Sequence, residues 1–140
     1  MNKKLTFLSF AIALLIIIIL VFLLVNGTDD SVQSERKESN KLLLAGEWLR
    51  TDASYLIKIN KVNTDRTLEA QYFNPKPINV GSATWKESYG NLEITVELQD
   101  VNYPGSKYTL SYLHDRDVLA GNYFQAVQEL DFYVEFTRRR

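Results

Sequence analysis

The chain has 140 residues, with 16 Lys or Arg and 17 Asp or Glu, and its formal net charge is −1. It contains no Cys and one His, which excludes a disulfide framework, a thiolate metal site, a cysteine nucleophile and a lipid-modified cysteine, and leaves little for a zinc site. The residues from Asn26 onward are enough for one small domain.

The first predicted element is a transmembrane helix at Leu5–Val25, which follows a short tail at residues 1–4. Within this block only Thr6 and Ser9 are polar. A helix of this length spans about 31 Å, which matches the hydrocarbon thickness of a bilayer. The pattern predicts a single-pass signal anchor. A cleaved secretory signal is the alternative, although Val25-Asn26-Gly27 is a poor version of its small-x-small cleavage site.

Charges on the two sides of the apolar block predict its orientation. Lys3 and Lys4 precede the block, and Asp29 and Asp30 are the first charges after it. Basic residues favour the inner side of a membrane. We therefore expect a cytoplasmic N-terminus and a C-terminal domain outside the cell membrane, in the periplasm or at the outer surface of a bacterial envelope.

A polar linker with a short apolar lead-in is predicted at residues 26–45. Its first fifteen residues read NGTDDSVQSERKESN and contain one apolar side chain. Such a segment cannot bury enough surface to offset the entropy of ordering it, so it is interpreted as a tether. The apolar run Lys41–Ala45 then leads into the folded domain.

Residues 46–140 are predicted to form an all-β domain. Apolar and polar residues alternate in nearly every segment, most strictly at Leu92–Leu98, and such alternation is typical of strands with one buried face. Short turn sequences between the segments favour antiparallel neighbours in sequence order, and closure of this meander would remove both exposed edges. We predict an eight-stranded antiparallel up-and-down barrel with strands at Trp48–Thr51, Tyr55–Val62, Leu68–Phe73, Ile78–Glu87, Leu92–Leu98, Lys107–Leu113, Val118–Ala126 and Leu130–Arg138.

The ends of this domain resemble lipocalins and avidin-like proteins, which are calycin-like barrels. Gly46-Glu47-Trp48 opens the first strand, as their G-x-W motif does, and the basic residue Arg138 ends the last strand. The resemblance implies that Gly46, Trp48 and Arg138 close one end of the barrel, with a cation–π contact between the Arg138 guanidinium and the Trp48 ring. Avidin-like proteins line their biotin pocket with several Trp residues and a late Asp. This chain has only two Trp residues, so biotin binding is not implied.

A second resemblance covers nearly all of the domain. It is to a family of small exported bacterial proteins of unassigned function, and it implies no chemistry. The stretches that carry it are Tyr72-Phe73-Asn74-Pro75-Lys76-Pro77-Ile78, Asp100-Val101-Asn102-Tyr103-Pro104-Gly105-Ser106 and Tyr123-Phe124-Gln125-Ala126.

The predicted inner face is rich in tyrosine, and a buried phenol requires a hydrogen-bond partner. One interpretation is a small cup in which the hydroxyl groups orient a ligand with an apolar body and polar groups. The other is an interior filled by side chains, with the phenols reaching out at the barrel mouths. The candidate ligand-binding residues are Tyr55, Tyr72, Tyr108, Tyr112 and Tyr123.

No catalytic residue, metal ligand or cofactor is predicted. His114 abuts the turn Asp115–Asp117 and is interpreted as an exposed turn residue, and these two aspartates lack the rest of a calcium loop. From Gly46 onward there are 11 basic and 13 acidic residues, with no basic stripe apart from Arg138–Arg140, so nucleic acid is not an expected partner.

The leading hypothesis is a non-enzymatic, membrane-anchored envelope protein whose barrel binds a small ligand or another envelope component. Its expected partners are the membrane, through Leu5–Val25, and that ligand or envelope protein. The alternative is a packed-barrel scaffold or assembly factor that acts through its outer surface or through the loops at Asn74–Pro77 and Pro104–Ser106. A hydrolase with a carboxylate dyad is a third and weaker hypothesis.

Overall fold

The computed structural model describes residues 13–22, 32–35 and 40–140. The chain divides into two compact units, residues 1–39 and 40–140. In the first unit, residues 13–22 form a helix with exposed apolar side chains, and residues 32–35 form a helical turn. Among the described residues, no helix is both long and apolar enough to cross a membrane. The remaining residues of the predicted anchor, the tail at 1–4 and most of the tether lie outside the described residues.

The second unit begins with a helical turn at residues 40–42 and continues as antiparallel β-structure. Most strands lie where the alternating pattern predicts them, with ends that differ by no more than two residues. The strands are β1 (Gly46–Arg50), β2 (Leu56–Val62), β3 (Leu68–Asn74), β4 (Lys76–Ile78), β5 (Val80–Ser88), β6 (Asn91–Leu98), β7 (Ser106–Leu113), β8 (Val118–Gln125) and β9 (Leu130–Arg138).

All nine strands form one sheet in the order β4-β3-β2-β1-β9-β8-β7-β6-β5. The first and last strands pair directly, with Trp48 opposite Arg138. The two ends of the sheet then approach each other where β3 lies alongside β5. There a single bridge joins Thr67 to Thr84, and the backbone N–H of Trp85 donates to the Arg66 carbonyl at 2.9 Å. The sheet is therefore a nearly closed antiparallel barrel, which is the predicted fold class.

The structure has nine strands where the sequence predicts eight, because the segment predicted as Ile78–Glu87 is interrupted at Asn79. The Asn79 N–H donates to the Asp100 carboxylate at 3.0 Å, and its carbonyl accepts from the Gln99 N–H at 2.8 Å. These bonds to the loop after β6 turn the chain away from β3. The residues before Asn79 form the short strand β4, which pairs with β3 and contains Pro77.

The alternating residues fill the barrel with a hydrocarbon core. On β6, Leu92, Ile94, Val96 and Leu98 are completely buried, whereas the residues between them are not. Each such aliphatic side chain contributes about 1.5–3 kcal/mol on burial. The inner faces of β2, β7 and β9 complete this core with Ile57, Ile59, Tyr108, Leu110, Val134 and Phe136.

The closed end of the barrel is the end at which β1 begins and β9 ends. Trp48 is completely buried there, and its indole Nε1 donates to the Leu44 carbonyl at 2.9 Å. The Arg138 guanidinium lies 4.1 Å from the centre of the Trp48 ring. This is the cation–π contact that the resemblance to the calycin-like barrels implies.

The remaining donors of Arg138 hold the chain on both sides of that ring. Nη1 donates to the Ala45 carbonyl at 2.7 Å, Nη2 donates to the Leu43 carbonyl at 2.6 Å, and Nε donates to the Asp117 carboxylate at 2.9 Å. Gly46 leaves room for this side chain. Its φ of +141° is one that other residues rarely adopt, and a Cβ at this position would lie 2.6 Å from Nη1 of Arg138.

Arg138→Met should lower the free energy of unfolding by about 2–4 kcal/mol, because it removes charged hydrogen bonds and the cation–π contact. Chemical denaturation followed by tryptophan fluorescence measures this change. Arg139→Met is the matched control, since Arg139 is solvent-exposed and its guanidinium lies 3.5 Å from the Glu47 carboxylate. The control should change stability by no more than about 0.5 kcal/mol. Equal effects of the two substitutions would show that Arg138 does not hold the closed end.

Candidate functional site

A cleft of about 350 Å³ opens at the other end of the barrel, where β1 ends and β9 begins. The ends of four strands, β1, β3, β8 and β9, and two adjoining loops form its walls. Aromatic and polar side chains line it, and two of them are charged. The lining residues are Arg50, Asp52, Ala53, Tyr55, Tyr72, Asn74, Tyr103, Tyr123, Gln125 and Phe132.

The structure brings four of the five candidate tyrosines together at this open end. Tyr55, Tyr72 and Tyr123 line the cleft, and Tyr108 lies completely buried beside it. The Tyr108 ring stacks on Tyr123 at 4.3 Å between centroids and lies 5.4 Å from Tyr72. The cleft therefore rests on an aromatic layer that separates it from the aliphatic core.

Tyr112, the fifth candidate, lies at the closed end. Its ring meets the edge of Trp48 at 5.9 Å, and its hydroxyl donates to the Asp117 carboxylate at 3.0 Å. Tyr108 and Tyr112 share one face of β7, but four residues along a strand cover about 13 Å. The alternation predicts the face of the sheet on which a residue lies and leaves open which end of the barrel that residue reaches.

Arg50 is the principal residue of the cleft that the sequence interpretation missed. It follows Trp48 by two positions on β1, so the same alternation that buries Trp48 turns Arg50 toward the barrel interior. Only 11% of its side chain is exposed. Its guanidinium carbon lies 5.2 Å from the Tyr55 ring centroid and 6.0 Å from that of Tyr123. The sequence could have indicated Arg50, because a charged residue two positions after an inward-facing Trp is expected to face inward as well.

The Arg50 guanidinium binds the Asp52 carboxylate through two hydrogen bonds. Nε donates to Oδ1 at 2.6 Å, and Nη2 donates to Oδ2 at 2.9 Å. Burial lowers the pKa of Arg50, but the Asp52 hydrogen bond and the nearby Tyr108 phenol outweigh this effect, so the pKa is raised. The hydrogen bond from Arg50 is also the main reason why the pKa of Asp52 is lowered. Both groups are therefore charged at neutral pH.

The phenols beneath Arg50 form a second polar layer. The hydroxyls of Tyr72 and Tyr108 are hydrogen-bonded to each other at 2.8 Å. Burial raises the pKa of Tyr108 to about 12 and raises that of Tyr72 further. Burial is also the main cause of the raised pKa of Tyr123. At neutral pH these phenols carry no charge, and the charges among the lining residues are those of Arg50 and Asp52.

Four further lining residues come from strand ends and loops. The Asn74 amide donates to the Tyr103 hydroxyl at 2.7 Å and so joins the end of β3 to the loop after β6. Phe132 shares one face of β9 with Val134 and Phe136, but it lies at the mouth and is partly exposed, whereas the other two are buried. Gln125 ends β8. Sequence alternation does not assign residues of this kind, because they lie where the strands give way to loops.

The structure places His114 away from the cleft. Its ring lies 4.6 Å from that of Tyr112 at the closed end, where the Asp117 carboxylate is bound by Arg138. Within residues 13–22, 32–35 and 40–140, no group of three or more His, Asp or Glu side chains could hold a metal ion.

No protein-family model, curated protein or solved structure matches this chain. The nearly closed antiparallel barrel is compatible with a calycin-like fold. Membership of the lipocalin-like or avidin-like families, of the family of small exported bacterial proteins, and export itself stay predictions.

The buried phenols predict a loss of stability at alkaline pH. A phenol in an unfolded chain ionises near pH 10, whereas the pKa of Tyr108 is about 12 in the folded chain. Between these pH values the unfolded chain releases a proton that the folded chain retains. The free energy of unfolding should therefore fall as pH rises from about 10 to about 12, and below about pH 10 the phenols should cause no pH dependence. Urea denaturation across this pH range measures the change.

Tyr108→Phe should give a shallower alkaline decline, because it removes one of the ionising groups. Tyr89→Phe is the control, since the Tyr89 side chain is fully exposed, and it should retain the decline of the unmodified chain. An unchanged decline in Tyr108→Phe would contradict the assignment of this proton to the buried layer.

Proposed function

We propose that this chain is a membrane-anchored, non-enzymatic protein of the bacterial envelope whose barrel binds a small ligand in the open-end cleft. The observation that carries the proposal is the Arg50 guanidinium, which lies on the inner side of the barrel and lines a cleft with aromatic walls. The lining combines aromatic rings with a few placed polar groups, and both kinds of group occur in small-molecule sites.

The energetic cost of Arg50 supports a binding role. A charged side chain that is mostly removed from water loses hydration, and hydrophobic residues of similar volume often stabilise such a position at least as well. The neighbouring inner position on the same strand holds Trp48, which is completely buried. The inner face of β1 can therefore hold a large hydrophobic side chain in place of a charged one. We interpret Arg50 as a residue that binds a ligand, at some expense in stability.

The packing below the aromatic layer favours a ligand at the mouth. Ile57, Leu110 and Phe136 are completely buried beneath it, and the cleft volume of about 350 Å³ lies near the lower limit for small-molecule pockets. The two sequence interpretations of the tyrosines thus apply to different depths of the barrel. A packed core occupies the lower part, and a cup is proposed at the open end.

Filling the cleft should abolish ligand binding. Ala53→Trp places a large ring at a lining position, and Ser54→Trp introduces the same ring at the next, exposed position, which does not line the cleft. The unmodified chain and the Ser54→Trp variant should release the same small molecule after purification from native membranes, and Ala53→Trp should release none. Mass spectrometry of the released compounds measures this, and equal recovery from all three proteins would contradict binding in the cleft.

The membrane anchor is proposed from the apolar block Leu5–Val25 and from the charges on its two sides. Ten of its residues, 13–22, are helical, and their apolar side chains are exposed. The proposed tether of about fifteen residues gives the domain a typical reach of about 20 Å from the membrane. We propose that the domain meets its ligand close to the outer side of the membrane.

Protease added to intact cells or spheroplasts should degrade the C-terminal domain and leave a membrane-embedded fragment that contains the apolar block. Detergent-permeabilised cells provide the control, because the domain is accessible there in either orientation. Full protection of the domain in spheroplasts, with degradation after permeabilisation, would contradict the proposed orientation.

A scaffold or assembly factor is the second candidate, and exposed apolar side chains at the open end favour it. Val101, Val127 and Leu130 are 90%, 62% and 46% exposed, and all three lie around the mouth. A protein partner that covers this rim would bury them. On this hypothesis the unmodified chain retains no small molecule during purification. The unmodified chain and the Ala53→Trp variant should then both release none.

A further inference from the structure

We infer that the open-end cleft selects a small aromatic monocarboxylate, and that Asp52 occupies the position of the ligand carboxylate until the ligand displaces it. This inference rests on the proposed function, namely that the cleft binds a small ligand. It adds the chemical class of that ligand and an intrachain competitor for the site.

The first step is the geometry of the Arg50–Asp52 pair. Two neighbouring nitrogens of the guanidinium, Nε and Nη2, each donate to a different oxygen of one carboxylate, at 2.6 and 2.9 Å. This side-on arrangement matches the planar fork of arginine to the planar carboxylate group. Arg50 is therefore already oriented to bind a carboxylate in the cleft.

The second step is the difference in burial between the two partners. The Arg50 side chain is held inside the barrel mouth, between the rings of Tyr55 and Tyr123, and is 11% exposed, whereas the Asp52 side chain is 60% exposed on the loop after β1. An ion pair with a solvent-exposed partner contributes little net stability. Asp52 can therefore leave Arg50 at small cost, provided that another carboxylate replaces it.

The third step concerns the charge that the cleft can bind. Among its lining residues, Arg50 is the one cation, and burial raises the pKa values of the Tyr72 and Tyr123 phenols, which carry no charge at neutral pH. A dianion such as a phosphate monoester would leave one charge without a basic partner. A single guanidinium with this planar fork fits a ligand that carries one negative charge. Because the fork already binds the Asp52 carboxylate, we infer that the charged group of the ligand is also a carboxylate.

The fourth step concerns the body of the ligand. Beside the guanidinium, Tyr123 and Phe132 are nearly parallel, with 27° between their planes and 6.4 Å between centroids. Phe132 is partly exposed and forms part of the cleft wall. Aromatic side chains pack favourably against a planar ring, and the limited volume of the cleft restricts the ligand to a small one.

The test compares 2-naphthoate with 2-naphthamide, which has nearly the same shape and carries no charge. Equilibrium dialysis against the full chain in lipid nanodiscs, with empty nanodiscs subtracted, gives the two affinities. The unmodified chain should bind the carboxylate at least about tenfold more tightly than the amide, because a charge-assisted hydrogen-bond pair is lost with the amide. Arg50→Gln should lose most of this preference because it removes the positive charge. Arg50→Lys should also lose most of it, because lysine keeps the charge but cannot donate two parallel hydrogen bonds to one carboxylate.

Asp52→Asn is the decisive variant, because an exposed substitution leaves the fold intact and removes the competitor. It should bind 2-naphthoate about fivefold or more tightly than the unmodified chain and leave the affinity for 2-naphthamide unchanged. Glu129→Gln is the matched control, since it removes one negative charge from the same end of the barrel without touching the cleft lining. Its effect on both probes should be less than twofold.

Each contrary result has a distinct meaning. Equal affinities for the two probes, or equal effects of Asp52→Asn and Glu129→Gln, overturn the carboxylate inference and leave a ligand-binding cleft in place. If neither 2-naphthoate nor 2-naphthamide binds, the carboxylate inference is also overturned. The proposed function is then tested separately, by the compounds released from the Ala53→Trp and Ser54→Trp variants.

Discussion

The stacking of the Arg138 guanidinium on the Trp48 indole joins the last strand of the domain to the first. Closure of one end of the barrel, and with it the position of the cleft at the other end, depends on this contact. The contact fastens the last strand to the first, since the two residues are also register partners of β1 and β9. The same guanidinium donates to the carbonyls of Leu43 and Ala45, which holds the entering chain across that end. With this end closed, the cleft opens at the opposite end.

Strand β1 contributes to both ends of the barrel. Gly46, Trp48 and Arg50 share its inner face, and each step of two residues advances about 7 Å along the barrel. Gly46 admits the Arg138 side chain, Trp48 fills the closed end, and Arg50 reaches the mouth. The position of the guanidinium in the cleft is therefore fixed by the same short strand that carries the closure, so that rigid β-structure supports the proposed binding group. A binding group on such an element is positioned more accurately than one on a loop.

The sequence predicts the fold class well because period-2 alternation is strong and nearly continuous. Along β6 every predicted inner residue is completely buried. The interruption at Asn79 could not be predicted, because it depends on hydrogen bonds to Gln99 and Asp100, which lie about twenty residues away in the sequence. The candidate site was predicted in part for a related reason. Alternation indicates on which face of the sheet each tyrosine lies. Strand register decides which end of the barrel it reaches, and it places Tyr55 and Tyr108 at the open end and Tyr112 at the closed end. Arg50 was within reach of the pattern and was missed because the interpretation followed apolar residues only.

The incomplete seam between β3 and β5 leaves two strand edges that could add a strand from another chain. Exposed edges of this kind are common starting points for aggregation. Strand β4 has only three residues, and Pro77 within it has no N–H to donate. On the other side of the seam, the pairing of β5 with β6 is shifted between Val80 and Ser82, and such a bulge twists an edge out of line. The short proline-containing strand and the bulge thus both disfavour the addition of a further strand at the two edges of the split barrel.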